Sequence, residues 1–362
     1  MIPDLVADPD SRQDHAEQRP VLLCGYYGEH NLGDDALLEA LLALLPAGIQ
    51  PLVTAHDQEQ VRRRFGVATL QRRSLSSVLG GLRASRALVF GGGSLLQDST
   101  SFRSLLYYAL LIASARLQGK PVLLWAQGLG PLRRRRSRLL VRSLLASVSG
   151  CTWRDPDSAA LAVRLGLQAP AGADAVWSLP PGRWHGRGGP IVLCWRPTPL
   201  LQGQAWRPYL EAVELLAEQQ DRDVIWLPFH GAQDRSLLQQ LSAEGLLGEP
   251  LQRRSRVVEV ERPEEAIGLF ASAGLVLAMR LHALILAGLA GAPLAALSYD
   301  PKVQACAAGL DCPWVDLSDP AEASNLLISW QRSLDQPTPA AVIAAQRDSA
   351  RVHAELLRTL AP

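Results

Sequence analysis

Cationic and titratable side chains recur directly after apolar runs in this chain. The plainest case is Met279-Arg280-Leu281-His282, where an apolar strand over residues 274–279 ends in an arginine and a histidine two apart. A small-residue stretch, Ala283–Gly291, then reads as a buried helix. A second strand, Pro293–Ser298, delivers Asp300 and Lys302 at its own end. Such groups at the carboxyl ends of neighbouring strands in an α/β sheet face a ligand crevice. An arginine fork matches a carboxylate or phosphate, and a lysine adds a point charge. Histidine, with an unperturbed pKa of about 6.5, exchanges protons near neutrality. The bland reading stays open here: His282 as a satisfied core histidine and Arg280 as half of a surface ion pair.

Elements that could position these groups repeat along the chain. Strand Val21–Cys24 runs into Gly25-Tyr26-Tyr27-Gly28-Glu29-His30-Asn31-Leu32-Gly33-Asp34-Asp35, followed by an apolar-periodic helix, Ala36–Leu45. Strand, glycine loop and helix open a doubly wound α/β domain. The loop is neither standard phosphate fingerprint, because its glycines do not spell G-x-G-x-x-G and Asp34 stands where a P-loop carries lysine. Asp34 either caps the helix or takes part in binding, and the two are compatible. Another strand, Ala87–Phe90, ends in Gly91-Gly92-Gly93-Ser94-Leu95-Leu96-Gln97-Asp98. Three glycines let a ligand approach the backbone closely. Ser94, Gln97 and Asp98 beside them favour a binding loop. Strand Lys120–Ala126 ends in Gln127-Gly128-Leu129-Gly130-Pro131, a short strand at Cys151 ends in Arg154-Asp155, and Val224–Leu227 ends in Pro228-Phe229-His230 with Gln233 and Asp234.

At 362 residues the chain is long enough for two domains. Residues 178–190 shift sharply to Pro and Gly, a linker signature. The expected organisation is a polar tail over 1–19, an α/β domain over 20–180 and a second over 190–335. A last helix, about 338–360 within 336–362, is expected to pack back toward the interdomain region. Two Rossmann-like α/β domains facing across a cleft would bring Arg154, His230, Arg280, His282 and Lys302 together with Asp34, Asp98, Asp155 and Asp234, since pockets favour such interfaces. No nucleophile elbow or paired Cys–His stands out, so acid–base transfer of a group from an anionic donor outranks covalent catalysis.

Composition narrows the classes. Hydrophobic residues at 48% with 20% charged describe a soluble globular chain with ample core. A net charge of +1 argues against a general polyanion binder, and the sparse aromatics do not interleave with basic residues, so no nucleic-acid partner is expected. Five cysteines without a C-x-x-C pair read as buried free thiols in a reducing compartment, against a zinc site or a disulfide framework. No secretory h-region and no 18-residue apolar run appear, which points most simply to the cytoplasm. The basic amphipathic segment Arg133–Arg142 has two readings, a solvated helix face or a contact with the inner face of an anionic membrane.

Taken together, the strand-end motifs resemble the polysaccharide pyruvyl transferase family. They are Gly25-Tyr26-Tyr27-Gly28 with Asn31-Leu32-Gly33-Asp34, Gly91 to Asp98, Gln127 to Pro131, Arg154-Asp155 with Ser158, Pro228-Phe229-His230 with Gln233-Asp234, Arg280-Leu281-His282, and Ser298 to Lys302. The likeness covers about residues 20–330 and lies nearest the bacterial branch acting on cell-wall or surface polysaccharide precursors. It implies a fold similar to the glycosyltransferase-B architecture, with the acceptor on the N-terminal side and the donor on the C-terminal side. Phosphoenolpyruvate is implied as co-substrate, with no metal and no further cofactor. The acceptor implied is a sugar, free or lipid-linked. Arg154, Arg280 and Lys302 would grip the donor, and His282 would be the general acid. Asp34 and Asp234 would orient or deprotonate the acceptor. Gly92, Gly93, Ser94, Gln97, Asp98 and His230 would contact the acceptor or shape its loop. The competing expectations are a nucleotide-sugar glycosyltransferase on the same frame, and a non-catalytic anion- or sugar-binding relative.

Overall fold

A computed structural model describes residues 19–99 and 101–361 of the chain. Except for Arg19, the expected polar tail lies outside them. The residues group into two units by their contacts. Among the described residues, the first comprises Arg19–Glu29, Leu37–Ala175 and Ser349–Ala361; the second comprises His30–Ala36 and Val176–Asp348. Residues 30–36, which hold the first five residues of the helix Leu32–Leu44 and the two before it, thus group with the second unit.

The first unit alternates strand and helix: β1 (Val21–Tyr27), α1 (Leu32–Leu44), β2 (Pro51–Ala55), α2 (Gln58–Phe65), β3 (Ala68–Gln71), α3 (Leu75–Ala84), β4 (Ala87–Gly91), α4 (Phe102–Leu117), β5 (Val122–Gln127), α5 (Arg135–Leu145), β6 (Gly150–Trp153) and α6 (Pro156–Arg164). All strand pairs are parallel, in the order β3-β2-β1-β4-β5-β6. The central strands read as continuous apolar runs because helices cover both faces of such a sheet. Leu22, Leu88, Phe90, Leu124 and Trp153 are fully buried in its core.

The second unit repeats the plan: β7 (Ile191–Cys194), α7 (Arg207–Gln219), β8 (Val224–Trp226), α8 (Leu237–Ala243), β9 (Ser255–Val257), α9 (Pro263–Ala271), β10 (Leu275–Ala278), α10 (Leu281–Leu289), β11 (Leu294–Ser298), α11 (Pro301–Gly309), β12 (Trp314–Asp316) and α12 (Ala323–Ser333). Its order, β12-β11-β10-β7-β8-β9, is the first sheet's order read from the other edge. Each sheet therefore reverses winding once, between β1 and β4 and between β7 and β10. Those are the points where an open parallel sheet leaves a crevice at its strand ends. Trp195 stacks on Trp206 at 5.7 Å and meets Trp226 edge-on at 5.6 Å, filling the core on one side of this sheet.

Several elements differ from the sequence reading. The helix expected from Ala36 begins four residues earlier, at Leu32, because Asn31 rather than Asp34 caps it: the Asn31 Oδ1 accepts from the Gly33 N–H at 3.1 Å. Similarly, α10 starts at Leu281, which makes Arg280 its extended N-cap residue. The helix expected over 235–246 is one turn at Gly231–Asp234 followed by α8. The final helix is two, α13 (Ala340–Ala350) and α14 (Val352–Arg358). The second of these, α14, packs on β5 and β6 within the first unit. It is anchored by Trp125, whose indole N–H donates to the His353 carbonyl at 3.0 Å.

Candidate functional site

The two switch points differ in what fills them. In the first sheet, Tyr27 at the end of β1 is buried and donates its hydroxyl to the Gly91 carbonyl at 2.7 Å. Its ring occupies the space that a side chain at Gly25 or Gly91 would need, which is why both positions are glycine. Gly92, at φ +66, leaves room for Leu37, 2.7 Å from where its Cβ would stand. This switch point is packed with the chain's own side chains.

In the second sheet the same point carries charge. Arg196 stands two residues past the end of β7, as Arg280 does past the end of β10, with His282 two further on. The Arg196 amide lies 3.5 Å from the Met279 Sδ, and its Nη1 donates to the Tyr299 hydroxyl at 3.2 Å. Its guanidinium stands 4.9 Å from the Tyr299 ring centroid. Sequence reasoning missed Arg196, although the signal was the one used for Arg280: an arginine immediately after an apolar strand.

Arg280 is fixed along one edge. Its Nε donates to Asp234 Oδ2 at 3.1 Å, while Nη2 donates to Asp234 Oδ1 and, at 3.1 Å, to Gln233 Oε1. Its Nη1 makes no hydrogen bond among the described residues. Asp234 is 1% exposed and also accepts from the backbone N–H groups of Phe229, at 3.1 Å, and His230, at 2.9 Å. A carboxylate so enclosed holds a fork rigidly and leaves its opposite edge to a ligand. Burial, then the Asp234 charge, pushes the Cys194 thiol beneath the pair well above its ordinary range. For His230, burial and then the Arg280 charge lower the pKa against the opposing pull of Asp234, so the ring is neutral at neutral pH. Its Nδ1 is buried without a hydrogen-bond partner among the described residues.

The segment before α1 lies against this cluster. The Leu32 N–H donates to the Phe229 carbonyl at 2.8 Å, and Gly231 donates to the His30 carbonyl at 3.0 Å, forming a small antiparallel bridge at Asn31 and His230. Asn31 Nδ2 donates to Asp34, which stands in the first turn of α1, where the helix dipole favours an acid. The His282 imidazole packs directly on Gly33: a Cβ there would stand 2.7 Å from its Cγ and 2.9 Å from its Cβ. Asp34, His230, Asp234, Arg280 and His282 thus lie in one unit. Lys302 belongs to the same unit as the second residue of α11, its N–H bound to the capping Asp300 at 2.9 Å.

The remaining expected residues lie in the first unit. Arg154 is buried, with Asp174 at 3.5 Å and Asp155 at 3.6 Å, and it donates to Ser94 Oγ at 3.0 Å. Gly128 leaves room for that pair. Gln97 turns its Oε1 onto the Ser99 N–H at 2.7 Å. Asp98 is buried and accepts from the backbone N–H groups of Arg133, at 2.8 Å, and Arg134, at 2.9 Å, ahead of α5. Burial works to raise its pKa, but those bonds, the Ser137 hydroxyl and the Arg134 charge outweigh it and hold the carboxylate below its usual value. Asp98 therefore anchors α5, and Ser94 serves Arg154. Around Gly93, at φ +75, the space a Cβ would take is open. No cluster of three or more His, Cys, Asp or Glu suited to a metal occurs among the described residues.

Residues 31–301 match the model of the family described as polysaccharide pyruvyl transferase. Curated protein sequences yield no match. Solved structures share the fold at low identity. A UDP-GlcNAc 2-epimerase from Methanocaldococcus jannaschii is 12% identical with a TM-score of 0.62, over 94% of this chain and 98% of that one. The UDP-GlcNAc 2-epimerase from Neisseria meningitidis bound to UDP-GlcNAc is 12% identical with a TM-score of 0.59, over 94% and 100%. MurG from Acinetobacter baumannii is 12% identical with a TM-score of 0.53, over 94% and 99%. The two Rossmann-like sheets are thus of the glycosyltransferase-B type.

Proposed function

Because the chain belongs to the polysaccharide pyruvyl transferase family, we propose that it moves the pyruvyl group of phosphoenolpyruvate onto a sugar of a cell-surface polysaccharide or its precursor. The product is a ketal and the other product is phosphate. The observation that carries this reading is the Arg280 fork, locked by Asp234 along one edge, with Nη1 making no hydrogen bond among the described residues and His282 two positions on. Arg280 and Lys302 hold the phosphate and carboxylate of the donor. Arg196 lies at the same strand ends and adds a third cation.

In the first step a sugar hydroxyl oxygen bonds to C2 of the donor while protonated His282 gives its proton to the methylene carbon, C3, which becomes a methyl group. Asp34 takes the hydroxyl proton. In the second step a neighbouring hydroxyl bonds to C2, the C2–O bond to phosphate breaks, and phosphate leaves with the second hydroxyl's proton. The proton on Asp34 returns to His282 through solvent. Asp234, both of whose oxygens are engaged, we assign to positioning Arg280 rather than to proton transfer. Arg154, tied to Asp174, Asp155 and Ser94, is given no step.

The test is incubation with phosphoenolpyruvate and a panel of sugar acceptors. Phosphate release with a pyruvyl mass gain on one sugar is expected, and His282→Ala should lose both while still folded. Near wild-type turnover in that variant overturns the assignment. The competing reading is a nucleotide-sugar donor, favoured by the UDP-GlcNAc bound in a structure of similar fold. Thermal stabilisation by phosphoenolpyruvate but not by nucleotide sugars supports pyruvyl transfer, and the reverse supports the competitor.

A further inference from the structure

The outer side of α4 and α5 carries a surface that the catalytic reading does not use. Helix α4 buries Leu105, Tyr108, Leu111, Ile112 and Ala115 against its sheet. A solvent-facing stripe would normally be polar, yet here Leu106, Leu110 and Leu117 recur at helical spacing, with Leu117 90% exposed. Beside it, α5 buries Ser137, Val141, Leu144 and Leu145 and exposes Arg135, Arg136, Arg138, Leu139 and Arg142. The two helices pack against each other in one layer. The Arg136 guanidinium lies over the Phe102 ring at 4.1 Å, which ties the start of α4 to the basic run.

Charge reinforces the pattern. From Ser99 to Trp153 the sequence has no Asp or Glu and nine Lys or Arg. The preceding acid, Asp98, is buried under the start of α5, its carboxylate bound to the Arg133 and Arg134 amides rather than presented to solvent.

We propose that the α4–α5 face docks on the surface of an anionic lipid bilayer. Arginines at headgroup level and leucines at the acyl boundary are the two signals such binding needs, since either alone is weak. A phosphate-lined polymer would leave the leucines unsatisfied, and a second copy of the same face would set like charges against each other. The surface stands whether or not the donor is phosphoenolpyruvate.

Sedimentation of the full chain with vesicles tests this. Vesicles of phosphatidylglycerol in phosphatidylcholine should carry the protein down, and phosphatidylcholine alone should not, with binding weakened by salt. Neutralising Arg135, Arg138 and Arg142 to Gln should lower partitioning roughly a hundredfold, about fivefold for each charge near the surface. Leu110→Asn with Leu139→Asn should also weaken it, with an unchanged melting temperature. The proposal is overturned if the wild type ignores anionic vesicles, if both variants bind as it does, or if the leucine variant instead dissolves a dimer in light scattering.

Discussion

One methyl group at Gly33 tests the general-acid role proposed for His282. In Gly33→Ala the new Cβ would stand 2.7 Å from His282 Cγ and 2.9 Å from its Cβ, where ordinary contact begins at 3.4 Å. Because the His282 Cβ takes part in the clash, rotating the ring alone does not relieve it. Either the imidazole or the first turn of α1 must retreat. Overpacking of this kind costs about 1–3 kcal/mol, while alanine in place of glycine within a helix returns about 1 kcal/mol. The net loss is then at most about 2 kcal/mol, or roughly 4–8 °C in melting temperature for a domain of this size. Catalysis should suffer far more, since a misplacement of about 1 Å costs on the order of 100-fold in rate. Thermal unfolding and phosphate release with an acceptor sugar, measured on the same preparation, separate the two effects. The double variant with His282→Ala should recover the lost stability without recovering activity, which assigns the strain to this pair. Unchanged turnover in Gly33→Ala would refute the reasoning, because a displaced general acid cannot work at full rate.

Other outcomes follow from the same geometry. Asp234→Ala leaves the Arg280 charge and two backbone N–H groups without their acceptor; unfolding in urea should show a loss of about 3–5 kcal/mol, as for other broken buried pairs, and an unchanged midpoint would contradict the anchoring role. Arg280→Lys should raise the KM for phosphoenolpyruvate, because a point charge cannot bond Asp234 and a phosphate as a fork does; an equal KM speaks against donor contact. His353, fully buried with Nδ1 2.9 Å from the Thr152 hydroxyl and Nε2 2.7 Å from the Ala173 carbonyl, has its pKa lowered by burial. The unfolded chain then binds a proton near pH 6.5 that the folded chain resists, so stability should fall as pH drops below about 6.5. His353→Gln should flatten that slope, and an identical slope would dismiss the assignment.

The charges at the second unit's strand ends were legible because their signals are local. An apolar strand followed at once by Arg280 and His282 needs no long-range information, and the same holds for Asp300 and Lys302 after β11. Arg196 carries the same local signal directly after the apolar run Ile191–Trp195. The roles of Ser94, Gln97 and Asp98 were not legible. Their partners, Arg154, Ser99 and the Arg133 and Arg134 amides, are fixed by how the ends of β4, β5 and β6 meet, and a polar side chain looks the same in sequence whether it serves a substrate or a neighbouring backbone.

Taken by itself, the sequence determines the alternation of buried strands and helices, the glycines and charges at strand ends, and the family those motifs imply, because periodicity and turn chemistry act over a few residues. Only the tertiary structure decides the strand order, which places one switch point under a buried tyrosine and the other between two arginines. It also decides that Gly33 makes room for His282 and that Asp234 locks Arg280. Those contacts join positions 249 and 46 residues apart, and nothing in local sequence encodes separations of that length.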